Sequence, residues 1–149
     1  MAQYEHLPIY KKAMELSVYI YNAVRQFSRY HKYSIGADLR QETSEIIKII
    51  VRANSETEKI PILKELVIHC EMVKNMLNIA KEVKAFQNFS SFQQAASLAI
   101  VLCKQSQGWL NNTISKSQNY QPEKNRVDER AHKHCAPSSP SRRLMLYYT

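Results

Sequence analysis

Glycine and proline are scarce in this chain. Its 149 residues hold two glycines and five prolines, and Pro122, Pro137 and Pro140 lie beyond residue 120. Residues 9–117 therefore carry almost no backbone punctuation, which excludes an all-β fold with its frequent turns. Gly36 and Gly108 are too far apart to build a phosphate-cradling loop. Cysteine is equally thin: Cys70 and Cys103 fall at apolar positions of helical patterns, Cys135 stands near the C-terminus, and no C-x-x-C spacing occurs. Neither a disulfide framework nor a zinc site is implied, and a reducing, cytoplasmic setting fits best. The N-terminus lacks a basic segment followed by an apolar core, and no apolar run approaches the roughly 18 residues of a membrane span.

Catalytic groupings are missing too. His132, His134 and Cys135 are metal-capable, but no second cluster completes a four-coordinate site. His69 and Cys70 are neighbours in sequence, and adjacent helical residues point in different directions, so they make no nucleophile and base pair. Glu42 and Glu45 can share a helix face, where a solvated surface is the simpler reading. We expect no enzyme, no cofactor and no bound metal. A metal-dependent enzyme using the C-terminal stretch is the least favoured alternative.

What the chain does have is helical period. Ile9, Ala13, Leu16, Ile20, Val24 and Phe27 form one stripe over residues 8–28, with Pro8 suited to the first turn. A second apolar strip, Tyr10, Met14, Val18 and Tyr21, widens this face enough for two neighbours, within the fold or between subunits. Residues 34–55 place Ile35, Leu39, Ile46, Ile50 and Ala53 on one stripe; a strand over 45–51 competes there, but the period runs back through Leu39 without a turn. Residues 60–85 carry Leu63, Leu66, Val67, Cys70, Val73, Leu77, Ala80 and Val83, and residues 91–117 run from Phe92 to Ile114. Between them, Ser34, Thr57 and Ser91 (with Gln94 at capping-box spacing) are the expected helix caps, and Asp38 complements the dipole of the second helix. Gly108, inside the fourth helix, is expected to make room for a neighbour beside Trp109. These patterns predict an all-α, antiparallel up-down-up-down four-helix bundle over residues 1–117, followed by a flexible, disordered basic tail over 118–149.

Charge carries the functional signal. The formal net charge is +8, and a pI of about 9.4 favours polyanionic partners, nucleic acid or an acidic membrane surface. Lys11, Lys12, Arg25, Arg29 and Lys32 on or just after the first helix, with Arg40, Lys48 and Arg52 on the second, lie mostly off the apolar stripes. Arg40, Lys48 and Arg52 recur at eight- and four-residue steps, a row that can follow a phosphate backbone. Tyr30 and Tyr33, at the basic corner between the helices, can stack on unpaired bases. An ordinary solubilising face is the alternative.

Four segments carry a family resemblance: Leu7-Pro8-Ile9-Tyr10-Lys11-Lys12-Ala13, the corner His31-Lys32-Tyr33-Ser34-Ile35-Gly36-Ala37-Asp38-Leu39-Arg40, Arg52-Ala53-Asn54, and Gly108-Trp109-Leu110. Together they make residues 5–116 resemble the accessory variability protein of diversity-generating retroelements. That family lies within a wider group of four-helix bundles that includes proteins encoded in intervening sequences of bacterial ribosomal RNA genes. The resemblance implies a non-enzymatic cytoplasmic partner of a retroelement reverse transcriptase, assembled as a basic, barrel-like homopentamer. Such a protein binds the polymerase and the template-containing RNA, with DNA as a second polyanion, and supports mutagenic complementary DNA synthesis. The basic residues above would then contact RNA or polymerase, and the second strip of the first helix would join subunits. An interaction bundle of the intervening-sequence type, with no defined role, is the alternative. The stretch after residue 117 departs from the family pattern.

Overall fold

The computed structural model describes residues 3–119, and within them the fold is an all-α four-helix bundle. Its elements are α1 (Pro8–Val24), a four-residue α2 (Arg29–Lys32), α3 (Ile35–Ser55), α4 (Ile60–Glu82) and α5 (Phe89–Asn119). The expected basic tail, with His132, His134 and Cys135, lies outside the described residues apart from its first two positions. The chain divides into two compact units, Met1–Ile114 and Ser115–Thr149, and the packing below belongs to the first.

Side-chain contacts fix the helix directions. Ser17 meets Thr43 and Tyr21 meets Arg40, so α1 and α3 run antiparallel. His69 and Arg52 reach Glu42 and Glu65 across α3 and α4. Tyr19 Oη donates to the Ser91 carbonyl at 3.2 Å, joining the end of α1 to the start of α5, and Lys81 sits 4.9 Å from the centre of the Phe92 ring. Each long helix thus runs against its neighbours, as short connections require.

The main apolar stripes form the core. Leu16, Ile20, Leu39, Ile46, Ile50, Leu63, Leu66, Leu77 and Leu102 are almost wholly excluded from solvent, each contributing roughly 1.5–3 kcal/mol before chain entropy is subtracted. Buried Thr43 is satisfied by donating to the Arg40 carbonyl (2.9 Å), with the Ser17 hydroxyl beside it. The second strip of α1 is a different matter: Met14, Val18 and Tyr21 stay exposed, as do Ile68, Met72, Ile79 and Val83 on α4. Val83, expected in the core, is at the C-cap of α4 and turns outward.

Several expected helix ends are corrected. The first helix stops at Val24 rather than residue 28, because Gln26 N–H and Phe27 N–H bond to the carbonyls three residues back and tighten the last turn. Ser34 does not cap α3 with its side chain; its hydroxyl donates to the Tyr30 carbonyl at 2.7 Å and closes α2 instead. Thr57 caps nothing: Lys59 is the N-cap of α4 and spends its ammonium on the Ala53 and Asn54 carbonyls at the end of α3 (2.6 and 3.3 Å). Asn88, not Ser91, caps α5, its Oδ1 accepting the Ser91 N–H at 2.8 Å.

The α4–α5 turn shows why glycine is not needed everywhere a helix stops. Lys84 has φ of 60°, its N–H bonds the Lys81 carbonyl (3.0 Å), and Ala85 N–H bonds the Ala80 carbonyl (2.8 Å). This is a Schellman closure with the small buried Ala80 and Ala85 as its apolar contact. Phe27, Phe86 and Phe92 then pack edge to face at 5.1 and 5.8 Å. Gln87 Nε2 donates to the Gln26 carbonyl at 3.0 Å, so the α1–α2 and α4–α5 turns meet at one end of the bundle.

Candidate nucleic-acid interface

That end gathers the basic corner. Arg25 is the C-cap of α1, Arg29 and Lys32 belong to α2, and Arg40 rises from the second turn of α3. Arg40 ties the corner together: its guanidinium donates to the Lys32 carbonyl (3.4 Å) and lies 5.8 Å from the centre of the Tyr21 ring. Gly36 lets α3 come this close, since a Cβ there would stand 2.7 Å from Val24 Cγ1 and 2.9 Å from the His31 carbonyl oxygen. Tyr30 and Tyr33 are 78% and 70% exposed, so neither contributes to the core. Tyr30 leans edge-on to His31 at 5.3 Å and keeps its ring otherwise free for stacking. The last turn of α4 and the α4–α5 turn add Lys81, which pairs with Glu82 at 3.6 Å, and Lys84 to the same end; no spacing along the chain links these two to the corner.

The other candidate residues are not brought to this cluster. Lys11 and Lys12 stand about 21 Å up α1 from Arg25, and Lys12 is paired with Glu15 at 3.0 Å. The row of Arg40, Lys48 and Arg52 divides. A helix turns about 100° per residue, so the ends of this row are about 120° apart. Arg40 leans to α1, Arg52 is bonded to Glu65 of α4, and Lys48 pairs with Glu45 at 3.1 Å. Among the described residues, no carboxylate lies within 4.0 Å of Arg25, Arg29 or Lys32. The corner thus sets three cations without a carboxylate partner beside two exposed tyrosines, whereas Lys11, Lys64 and Lys104, also without one, stand elsewhere on the helices.

A family model described as bAvd-like matches residues 7–113, taking in every candidate residue from Lys11 to Arg52. The chain belongs to the bAvd-like family. The expected kinship with accessory variability proteins of diversity-generating retroelements therefore holds at family level. No curated protein matches the chain.

The bAvd-like bundle also holds two groupings invisible in the sequence. Glu42 is not a solvated partner of Glu45; it accepts a hydrogen bond from His69 Nδ1 across the α3–α4 contact, while His69 Nε2 lies 4.0 Å from Glu65. This chain of Arg52, Glu65, His69 and Glu42 ties α3 to α4 through four charged or titratable groups. The second grouping is Cys70 of α4 with Cys103 of α5. The neighbouring Cys103 thiol and the burial of Cys70 push the Cys70 thiol far above the ordinary range, and the neighbouring Cys70 in turn holds Cys103 below it. In the native protein, iodoacetamide is expected to label half-buried Cys103 at least about tenfold faster than buried Cys70, read by peptide mass spectrometry. Equal rates would mean that α4 and α5 open together. Among the described residues, no three His, Cys, Asp or Glu side chains form a metal-capable group, and no helix is long and apolar enough to cross a membrane.

Proposed function

We propose that this protein is a non-enzymatic accessory of a diversity-generating retroelement. It holds template-containing RNA, and secondarily DNA, at its basic corner and docks the reverse transcriptase during mutagenic complementary DNA synthesis in the cytoplasm. The observation that carries this reading is the unpaired Arg25, Arg29 and Lys32 beside exposed Tyr30 and Tyr33, in a chain of the bAvd-like family. Cations supply sequence-independent attraction to phosphates, and tyrosine rings supply stacking that tolerates any base. Arg40, Lys81 and Lys84 extend the cluster. Lys11, Lys12, Lys48 and Arg52 stand outside it and contribute to the wider field of the assembly.

The exposed strips support self-association. Met14, Val18 and Tyr21 of α1 and Ile68, Met72, Ile79 and Val83 of α4 are two different apolar surfaces on one subunit. A contact in which one strip meets the other on the next copy is heterologous, and such contacts form a ring when the rotation between copies closes and a filament when it does not; the homopentamer is the ring this reading adopts.

The test is co-purification of the intact protein with the reverse transcriptase and RNA encoded beside its gene, with mass measured by light scattering. A five-subunit assembly that retains both partners is the expected result. A monomer that ignores both would overturn the reading and leave the intervening-sequence type of bundle in its place.

A further inference from the structure

The turn between α4 and α5 keeps a residue that its own backbone does not favour. Lys84 stands at φ of 60°, the left-handed position of the Schellman closure, where glycine is the usual occupant because a Cβ is strained there. Glycine would make the same backbone hydrogen bonds, so the lysine side chain is kept at a cost in stability. No ion pair returns that cost. Lys84 is exposed, and among the described residues no carboxylate lies within 4.0 Å of its ammonium. Strain that the fold does not use points to a function outside it.

Phe89, five residues further on, is a second such feature. It opens α5 and is 60% exposed, its ring tilted at 38° to that of Phe92 with 5.6 Å between centres. Two depressions share it as a wall. One, of about 160 Å³, is also lined by Lys81, Lys84, Gln87 and Asn88; the other runs along α5 past Gln93, Ser97 and Ile100. Open space thus borders Phe89 on two sides, with two lysines on one of them. The surface is continuous with the basic corner, because exposed Gln87 donates to the carbonyl of exposed Gln26, the residue after Arg25. A protein contact wants an apolar centre with few charges. Here an exposed ring is flanked by lysines and amides, which suits phosphate and base.

We infer that Lys84 and Phe89 form a second contact for the RNA strand held at the corner. Lys84 meets a phosphate, and Phe89 stacks one unpaired base of any identity. The strand crosses the end of the bundle over the Gln26 and Gln87 pair and leaves along α5. The inference rests on the RNA reading above and carries it from the α1–α2 turn to the α4–α5 turn.

Binding of labelled single-stranded and double-stranded RNA to the intact protein, followed by fluorescence anisotropy over a range of salt, tests it. Lys84→Gly should raise the melting temperature, because glycine relieves the left-handed strain, and yet weaken single-strand binding about threefold to tenfold with a salt slope lower by about one. Unfolding cannot explain a substitution that stabilises the protein and costs affinity. Phe89→Ala should weaken single-strand binding at least about fivefold without changing the slope, leave duplex binding as it was, and be matched by full binding in Phe89→Trp. Wild-type affinity in both Lys84→Gly and Phe89→Ala, with binding abolished by Arg25→Glu, Arg29→Glu and Lys32→Glu together, overturns the inference and leaves the RNA reading standing. The reverse pattern sustains the inference and overturns the corner as the RNA face. Equal losses on duplex and single strand in Phe89→Ala overturn the stacking contact. Unchanged RNA affinity with loss of reverse transcriptase capture assigns the turn to the protein partner and overturns the inference as well. If the intact protein binds no RNA, both readings fall.

Discussion

Replacing Arg25, Arg29 and Lys32 together by glutamate is expected to weaken RNA binding about a hundredfold or more, and to flatten its dependence on salt. A protein that neutralises about six phosphates loses roughly three orders of magnitude in affinity between 50 and 200 mM salt, and each phosphate contact removed lowers that slope by about one. The three side chains are exposed or half-exposed, none packs in the core, and none has a carboxylate partner among the described residues. Their reversal should therefore leave the melting temperature nearly unchanged. The matched control is Lys48→Glu with Arg52→Glu. Those cations already face Glu45 and Glu65, so their loss removes less free charge, and we expect a smaller fall in affinity together with some loss of stability at the α3–α4 contact. Filter binding or fluorescence anisotropy at several salt concentrations measures both. If the control pair lowers affinity more than the corner triple, the corner is not the RNA face.

Alanine at the two glycines should act in opposite directions. At Gly36 the new methyl would stand 2.7 Å from Val24 Cγ1 and 2.9 Å from a backbone oxygen, with Phe27 Cδ2 at 3.4 Å. Val24 and Phe27 are buried, and the His31 carbonyl belongs to the backbone of the corner, so neither side can yield freely. Overpacking of this kind costs about 1–3 kcal/mol. At Gly108 nothing lies within 4 Å of the added methyl, and alanine in a helix interior is better than glycine by roughly 0.5–1 kcal/mol. Urea unfolding of both variants decides the matter. Equal effects of the same sign would show that the corner is not closed as described.

These glycines illustrate what could be read beforehand. The bundle was legible because its signal is redundant: the α1 stripe from Ile9 to Phe27 takes five successive three- and four-residue steps, and all six residues are buried. Which glycine is crowded was not legible, because crowding depends on the approach of a second helix and not on the glycine's own neighbours in sequence. The same limit explains the caps. Asn88 and Ser91 are both good capping residues three positions apart, and the choice between them is made by where the Schellman closure at Lys84 delivers the chain. Ser34 has a hydroxyl that can serve either the helix ahead or the turn behind, and the carbonyl of Tyr30 takes it.

The candidate site was half visible. The corner residues Arg25, Arg29, Lys32, Tyr30 and Tyr33 are close in sequence and stay together in space. Lys81 and Lys84 reach that end through the packing of Phe27 on Phe86 and the Gln87–Gln26 hydrogen bond, contacts between distant segments. The row of Arg40, Lys48 and Arg52 looked continuous along one helix because spacing within a helix hides what faces it. Glu65 and Tyr21 pull its two ends apart. Cys70 and Cys103 pair for a related reason: antiparallel helices advance in opposite directions, so Cys70 meets Cys103 at the same separation along both helices as Lys81 meets Phe92.

The corner has a thermodynamic consequence of its own. The helix α2 is four residues long and buries none of them, so by itself it has almost no free energy of formation. It is held by the Arg40 guanidinium on the Lys32 carbonyl and by the Ser34 hydroxyl on the Tyr30 carbonyl. Its amide hydrogens should accordingly exchange with solvent through local opening, long before the core gives way. A polyanion that grips Arg29 and Lys32 binds the closed form, and by mass action lends α2 protection in proportion to its own affinity. The segment that touches the nucleic acid is thus the least stable helix of the fold when free, and occupancy can be read as slowed exchange at the Lys32 and Tyr33 amides, which donate to the Ser28 and Arg29 carbonyls.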